Sequence, residues 1–407
     1  MTEQIKIFNV QFGDCFLCES RTNDAAMLVD FGSTRTINGS VVCDVNSSIR
    51  RYSRKYLMIS HFHSDHCCGI RRLDNDIVFE EVYLPNFFCK EVIRLELITL
   101  AILSASNPSY NIALNLLSIV PNLCDHLRSG SRICYVKRDE HINNRTDSYR
   151  VLWPNDSNIK HDAEHLYNEI LNYYQLWNNR QEFERLADSY MEIFPGLERY
   201  EGNNVMLFNE MYLTQKQEFL NYIENLTNRI LELFKEPTKS KKRISTELNQ
   251  RISSFQNEIC ICFDSVKYNS GTRGSVLFLS DVAPKSFREI LSGTNRFKVY
   301  DTYEAIKVAH HGTKDYYVDN FPHSEYLIIS NGMASSNGWR ITPLYGWRYH
   351  DRMMICTNYN NACDYELSNR KCDAYCEHAR MNSADNCENC NMGRGVCGID
   401  ISHILQL

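Results

Sequence analysis

The stretch HFHSDH places His61, His63, Asp65 and His66 within six positions, after the apolar run Lys55–Ser60 and before Cys67, Cys68 and Gly69. The chain has 13 histidines in 407 residues, and packing, which usually accounts for isolated histidines, does not explain three of them here. Imidazole nitrogens and a carboxylate oxygen grouped so closely suit zinc or a similar divalent ion. An ion left with an open coordination position is catalytic rather than structural. A strand ending near Ser60 delivers all four side chains from one loop. Cys67 and Cys68 read as packing residues rather than catalytic thiols, since a metal centre needs no separate nucleophile.

The elements around this loop are short. Gln4–Val10, Cys15–Ser20, Ala25–Ser33 and Lys55–Ser60 are apolar or alternating and are bounded by Gly, Asp or Asn, which predicts strands. Helices are expected near Phe87–Ser106 and Tyr110–Leu127, on either side of the breaker Asn107-Pro108-Ser109, and Tyr149–Asn155 reads as a strand closed by a proline. Residues 156–256 change texture to long stretches with helical spacing of apolar residues, a helical insertion carrying the basic run Lys235–Arg243. Strands return at Glu258–Phe263, Gly274–Val282, Tyr303–Thr313 and Glu325–Gly332, with a helix at Ala283–Leu291. The expected organisation is two strand-rich halves, 1–155 and 257–355, flanking the 156–256 insertion and followed by a cysteine-rich segment, 356–407; the fold class is α/β or α+β.

Hydrophobic residues make up 43% of the chain, enough for a large core, and the net charge of −6 gives no whole-molecule attraction to nucleic acid. The longest apolar run, Leu95–Ala105, contains Glu96 and is too short to span a bilayer, so no membrane association is expected. The opening residues lack a secretory pattern, and 17 cysteines without one read as reduced thiols or metal ligands, which makes the cytoplasm the expected compartment.

HFHSDH resembles the His-x-His-x-Asp-His signature of the metallo-β-lactamase-fold hydrolase superfamily. Phe8–Phe16 is similar to that superfamily's opening hairpin, Met27–Ser33 to its strand ending in Asp-Gly, Leu277–Val282 to the strand whose Asp bridges two metals, and Ile306–Thr313 to its last metal motif. The matches keep their order over about residues 5–332. With Val151–Asn155 and Asn257–Phe263, they most resemble the hydrolase domain of the DNA-uptake competence proteins, whose relatives include phosphodiesterases. The resemblance implies a four-layer αββα sandwich and a binuclear metal centre. His61 and His63 would bind one ion, Asp65 and His66 the second, and Asp281 both; one of His310 and His311 completes the second site, and Asp30 orients a ligand. The histidine that such proteins supply between the first cluster and the bridging Asp has no motif match, although His126, His141, His161 and His165 stand in that interval.

Two ions about 3.5–4 Å apart generate a metal-bound hydroxide near neutral pH and stabilise oxyanion charge, which suits phosphodiesters and also esters, thioesters and lactones. Zinc is the expected metal, with manganese or iron as alternatives. The competence-type pattern favours a phosphodiesterase or nuclease, and Arg340 and Arg348, interleaved with Trp347, Tyr349 and His350, are candidate phosphate and base contacts. A small-molecule hydrolase is the alternative, and a third reading is an effector subunit gated by a protein partner on the helical insertion. In the tail, Cys372, Cys376, Cys387 and Cys390 form two close pairs with zinc-ligand spacing, read as an additional structural zinc in a cysteine-rich C-terminal hairpin; reduced thiols and disulfides are the alternatives.

Overall fold

The computed structural model describes residues 4–20, 22–86, 89–106, 119–143, 148–192, 197–200, 203–207, a few positions between 218 and 229, 246–265, 273–293, 298–331, 353–356 and 396–399. In chain order, the first elements are β1 (Gln4–Phe8), β2 (Cys15–Ser20), β3 (Ala25–Phe31), α1 (Gly39–Arg50), β4 (Arg54–Met58), α2 (Ser64–Cys67), β5 (Glu81–Pro85), α3 (Lys90–Ser106), α4 (Ile119–Leu123) and β6 (Arg132–Val136). Next come β7 (His141–Asn143), β8 (Ser148–Trp153), α5 (Asp156–Tyr174), α6 (Arg180–Glu192), β9 (Leu197–Tyr200), β10 (Asn203–Leu207) and α7 (Thr246–Glu258). The last are β11 (Cys262–Ser265), β12 (Arg273–Phe278), α8 (Pro284–Leu291), β13 (Thr302–Lys307), β14 (His323–Ile329), β15 (Met353–Cys356) and β16 (Val396–Ile399).

These strands form two mixed sheets, ordered β16-β1-β2-β3-β4-β5-β6-β10-β9 and β15-β14-β13-β12-β11-β8-β7. Side chains alternate across each strand, so one face of each sheet meets the other sheet and the opposite face meets helices. Phe16, Met27 and Met58 of the first sheet share an apolar cluster with Phe263, Phe278 and Ala305 of the second. Phe263 and Phe278 stack at 4.7 Å within it. The alternate residues Leu17, Leu28 and Leu57 pack with Val45 of α1, Leu97 of α3, Ile170 of α5, Phe183 of α6 and Phe255 of α7. Leu277, Ile306 and Leu327 pack against Phe287 and Ile290 of α8.

β3 through β6 run parallel, as do β12 through β15, so in each set the carboxyl ends share one edge. Loops leaving that edge are where open α/β sheets bind ligands.

Two expectations about secondary structure are corrected. The 156–256 segment is not helical throughout: β9 and β10 pair with each other and extend the first sheet beyond β6. Residues 201–202 between them are Glu-Gly, and glycine-containing two-residue links favour hairpins over continued helix. The strands bracketing the cysteine-rich segment do not form a hairpin either. β15 extends the second sheet parallel to β14, whereas β16 covers the open edge of β1 in the first. Each strand finds a different unpaired sheet edge, and a distant edge satisfies backbone donors as well as a local partner does.

Helix α1 had no counterpart among the expected elements. Its signal is the Asn38 cap, whose side chain accepts from the Ser40 N–H at 3.0 Å, with buried Val41, Val42, Val45 and Ile49 behind it. Of the helix expected over Tyr110–Leu127, residues 110–118 lie outside the described ones, and the remainder forms α4 and a 3₁₀ turn, Cys124–His126. Among the described residues no helix is long and apolar enough to cross a membrane.

Candidate metal centre

After β4 the chain runs extended through His61 and His63, and α2 starts where the His63 carbonyl accepts from the N–H groups of His66 and Cys67 at 3.0 and 3.2 Å. His61 and His63 therefore leave an extended segment, and Asp65 and His66 leave the first helical turn. A close backbone approach fixes this turn. A Cβ at Gly32, just past β3, would lie 2.4 Å from the His66 nitrogen, so only glycine lets the strand exit pass. The loop between β1 and β2 adds a tie, with the Asp14 N–H donating to the Asp65 carbonyl at 2.9 Å.

The second sheet brings Asp281 from the end of β12 and His310 and His311 from the end of β13. Oδ2 of Asp281 lies 3.3 Å from Nε2 of His66, 3.5 Å from that of His311, 3.7 Å from that of His310 and 3.9 Å from that of His61. Nε2 of His311 is also 3.3 Å from Oδ2 of Asp65, and Nε2 of His61 is 3.1 Å from Nδ1 of His63. Ligand atoms on a tetrahedral zinc sit about 3.3 Å apart, given zinc–nitrogen distances of about 2.0–2.1 Å. Two groups converge with their ligand atoms within 4.8 Å of one another: Asp65, His66, Asp281 and His311, and His61, His63 and Asp281. Asp281 belongs to both.

The far side of each ring fixes which nitrogen faces inward. Nδ1 of His66 donates to Oδ2 of Asp30 at 2.8 Å, and Nδ1 of His311 donates to the Ser330 carbonyl at 2.8 Å. Ser280 Oγ donates to Ser60 Oγ at 2.7 Å, and Ser60 Oγ donates to Asp30 Oδ2 at 2.6 Å. Ser60 can then only accept from Nδ1 of His61, 3.2 Å away. Thr313 similarly gives its proton to the His310 carbonyl and accepts from Nδ1 of His310 at 2.8 Å. Each of these rings thus aims an Nε2 lone pair at the centre, and such outer contacts are how metal-binding histidines are oriented.

The residues fit a bound cation. Nε2 of His66, Nε2 of His311 and Oδ1 of Asp281 are buried and make no hydrogen bond. An imidazole nitrogen facing a carboxylate needs positive charge there, either a metal ion on its lone pair or a proton. The backbone is strained to achieve this: Asp30, Ser280, His310 and His311 have φ of 55°, 44°, 43° and 55°, a region non-glycine residues seldom adopt.

Burial drives these groups toward their neutral forms, and it holds His61 and His63 below the ordinary imidazole range. It also opposes the charged form of Asp281, but His311, His66 and His310 outweigh it and keep that carboxyl ionised. For His66, burial is outweighed by Asp281, Asp30 and Asp14, which push the ring well up; for His311, Asp281 and Asp14 push it up to about 9 against burial. The buried carboxylates thus create a field that favours positive charge.

His311, not His310, converges with Asp65, His66 and Asp281. His310 lies alongside, its ring stacked on Tyr316 at 3.7 Å and 7°. Of the four interval histidines, His126 is buried and bonded to the Ile77 carbonyl, His141 begins β7, and His161 and His165 lie on α5; among the described residues none belongs to a converging group. Cys67 is buried against the Phe62 and His63 carbonyls, and burial pushes its thiol up. Arg340, Arg348, Cys372, Cys376, Cys387, Cys390 and the basic run 235–243 lie outside the described residues.

Sequence reasoning passed over Asp14, Ser60, Ser280 and Lys307. Lys307 Nζ sits 2.5 Å from Oδ2 of Asp14. Asp14, Asp30 and His66 also gather as a potential ligand group, but the lysine ammonium already supplies a cation there. The available signal was a lysine inside the otherwise apolar run Ala305–Ala309.

No protein-family model matches the chain, and no curated protein does. Among solved structures it is similar to a protein of unknown function from Enterococcus faecalis V583, at 15% identity over 36% of this chain and 37% of that one, with a TM-score of 0.21. The chain thus spans little more than a third of that neighbour, and so slight a likeness carries no argument.

Proposed function

We propose that this chain is a metal-dependent hydrolase on a four-layer αββα metallo-β-lactamase-like sandwich, acting on a phosphodiester, with nucleic acid the favoured class. The observation that carries the reading is that Asp281 is common to two converging ligand groups, as a carboxylate serving two ions must be. His61, His63 and Asp281 would hold one ion; Asp65, His66, Asp281 and His311 would hold the other. Two divalent ions supply, when bound, a water acidified toward about pKa 7 and a clamp for oxyanion charge.

The chain's own residues prepare the site. Asp30, Ser60 and the Ser330 carbonyl hold the rings in register, and Phe12 lies 4.5 Å from the His311 ring, closing that side to water. His63 is half-buried, whereas His61, His66 and His311 are fully covered, so substrate enters on the His63 side. A phosphodiester is preferred to an ester, thioester or lactone because the order of motifs resembles the competence-type branch.

The test is a panel of bis-p-nitrophenyl phosphate, single- and double-stranded DNA, RNA, a thioester and a lactone, each with and without chelator. Chelator-sensitive cleavage of a phosphodiester is expected. Turnover confined to thioester or lactone would transfer the chain to small-molecule hydrolysis, and no chelator-sensitive turnover at all would contradict the reading.

One observation favours a second, compatible role. Asn257, on α7 just past the end of the insertion that supplies most of that helix, donates to the Tyr316 hydroxyl at 2.8 Å, and Tyr316 stacks on His310. A protein partner seated on the insertion would therefore bear on the centre. Co-purification from the native host, followed by assay with and without the partner, tests it; a partner that leaves turnover unchanged counts against gating.

A further inference from the structure

Lys307 is the last residue of β13, and its side chain is 1% exposed. It shares a strand face with Ala305, on the side where the two sheets meet, a position that an apolar residue would ordinarily fill. A buried ion pair adds little stability over a well-packed apolar pair, so stability alone does not account for a lysine here.

Its contacts are specific. Nζ donates to Oδ2 of Asp14 at 2.5 Å and to the carbonyl of Ser280, the residue before Asp281, at 3.1 Å; Oδ1 of Asp281 is 3.7 Å away. The two oxygens of Asp281 therefore have different neighbours. Oδ2 faces the imidazoles, while Oδ1, which makes no hydrogen bond, faces the ammonium. Asp14 in turn lies 3.5 Å from Nδ1 of His311 and 3.6 Å from Nδ1 of His66, directly behind two proposed ligands.

Resting on the binuclear reading above, we propose that Lys307 is a positioning residue for the shared carboxylate. It holds the Oδ1 side of Asp281 and the backbone before it, so that Oδ2 alone is presented to both ions. Asp14 neutralises Lys307 and sets its negative charge behind His66 and His311, whose Nδ1 groups donate to Asp30 and to the Ser330 carbonyl.

The test uses two double variants of the full chain, Asp14→Asn/Lys307→Gln and Asp14→Asn/Lys307→Met, which remove both buried charges together. Zinc binding is measured by chelator competition, the coordination sphere by the visible spectrum of the cobalt-loaded protein, and folding by circular dichroism without metal. Folded double variants are expected to bind at least one ion tenfold or more weakly and to show a displaced cobalt band. Wild-type affinity and an unchanged band in a folded double variant would overturn the role of Lys307 while leaving the two-ion reading intact. A wild-type chain that binds no zinc would overturn both. Should neither double variant fold, nitrogen NMR of the Lys307 ammonium in the wild-type chain decides: zinc loading must shift its resonance, and an unmoved resonance overturns the proposal.

Discussion

His66, from the first sheet, and Asp281, from the second, stand 3.3 Å apart, Nε2 to Oδ2, and that nitrogen makes no hydrogen bond. The other ring nitrogen is committed to Asp30 at 2.8 Å. The apposition joins the two halves of the chain, and it requires positive charge between the ring nitrogen and the carboxylate, a metal ion or a proton.

Asp30 orients His66 without joining the groups built around Asp281. Asp30→Asn is expected to leave the fold intact and weaken metal binding by about 10–100-fold, the usual effect of losing an outer hydrogen bond to a ligand. Chelator competition measures it; unchanged affinity would show that the contact does not orient the ring.

Gly32→Ala keeps every proposed ligand but sets a methyl group against the backbone of α2. The expected outcome is a folded protein with reduced metal content, because Asp65 and His66 are pushed out of register. Full metal content in that variant would mean that α2 moves freely with its ligands.

Metal loading should also appear as stability, since ions that bind only the folded chain stabilise it by about 2.7 kcal/mol at a hundredfold excess over Kd. Added chelator is expected to lower the melting temperature. Equal melting with and without chelator would count against a built centre.

Glu96, on α3, gives a pH dependence unconnected with metal. Burial pushes its carboxyl up to about 7 from 4.5, despite a hydrogen bond from Gln256. The folded state holds this proton more tightly than the unfolded chain does. The stabilisation is therefore fully present below about pH 4.5 and is lost as pH rises through 7. Glu96→Gln should stabilise the fold at pH 8 by at most about 3 kcal/mol, read as a higher melting temperature, but hardly at pH 4. Equal effects at both pH values would contradict it.

The loop His61–His66 was legible because one strand exit carries four ligand-type residues within six positions. Asp281 and the His310–His311 pair were reached only through the resemblance, without a choice between the two histidines; their meeting with the first cluster depends on two sheets packing face to face, which no local spacing encodes. Asp14, Ser60 and Ser280 left no signal, since a lone polar residue at a strand end looks like turn chemistry. The destinations of β15 and β16 were hidden for a related reason: edge pairing is chosen by which backbone groups remain open in the finished sheets.

If the Asp281 carboxylate serves two ions, the number of ions bound per chain must show it. Metal analysis of the wild-type chain, dialysed against buffered zinc, should give two equivalents per chain, falling to one or none in Asp281→Ala while circular dichroism is unchanged. No bound metal in the wild type, or equal content in Asp281→Ala, would contradict the account.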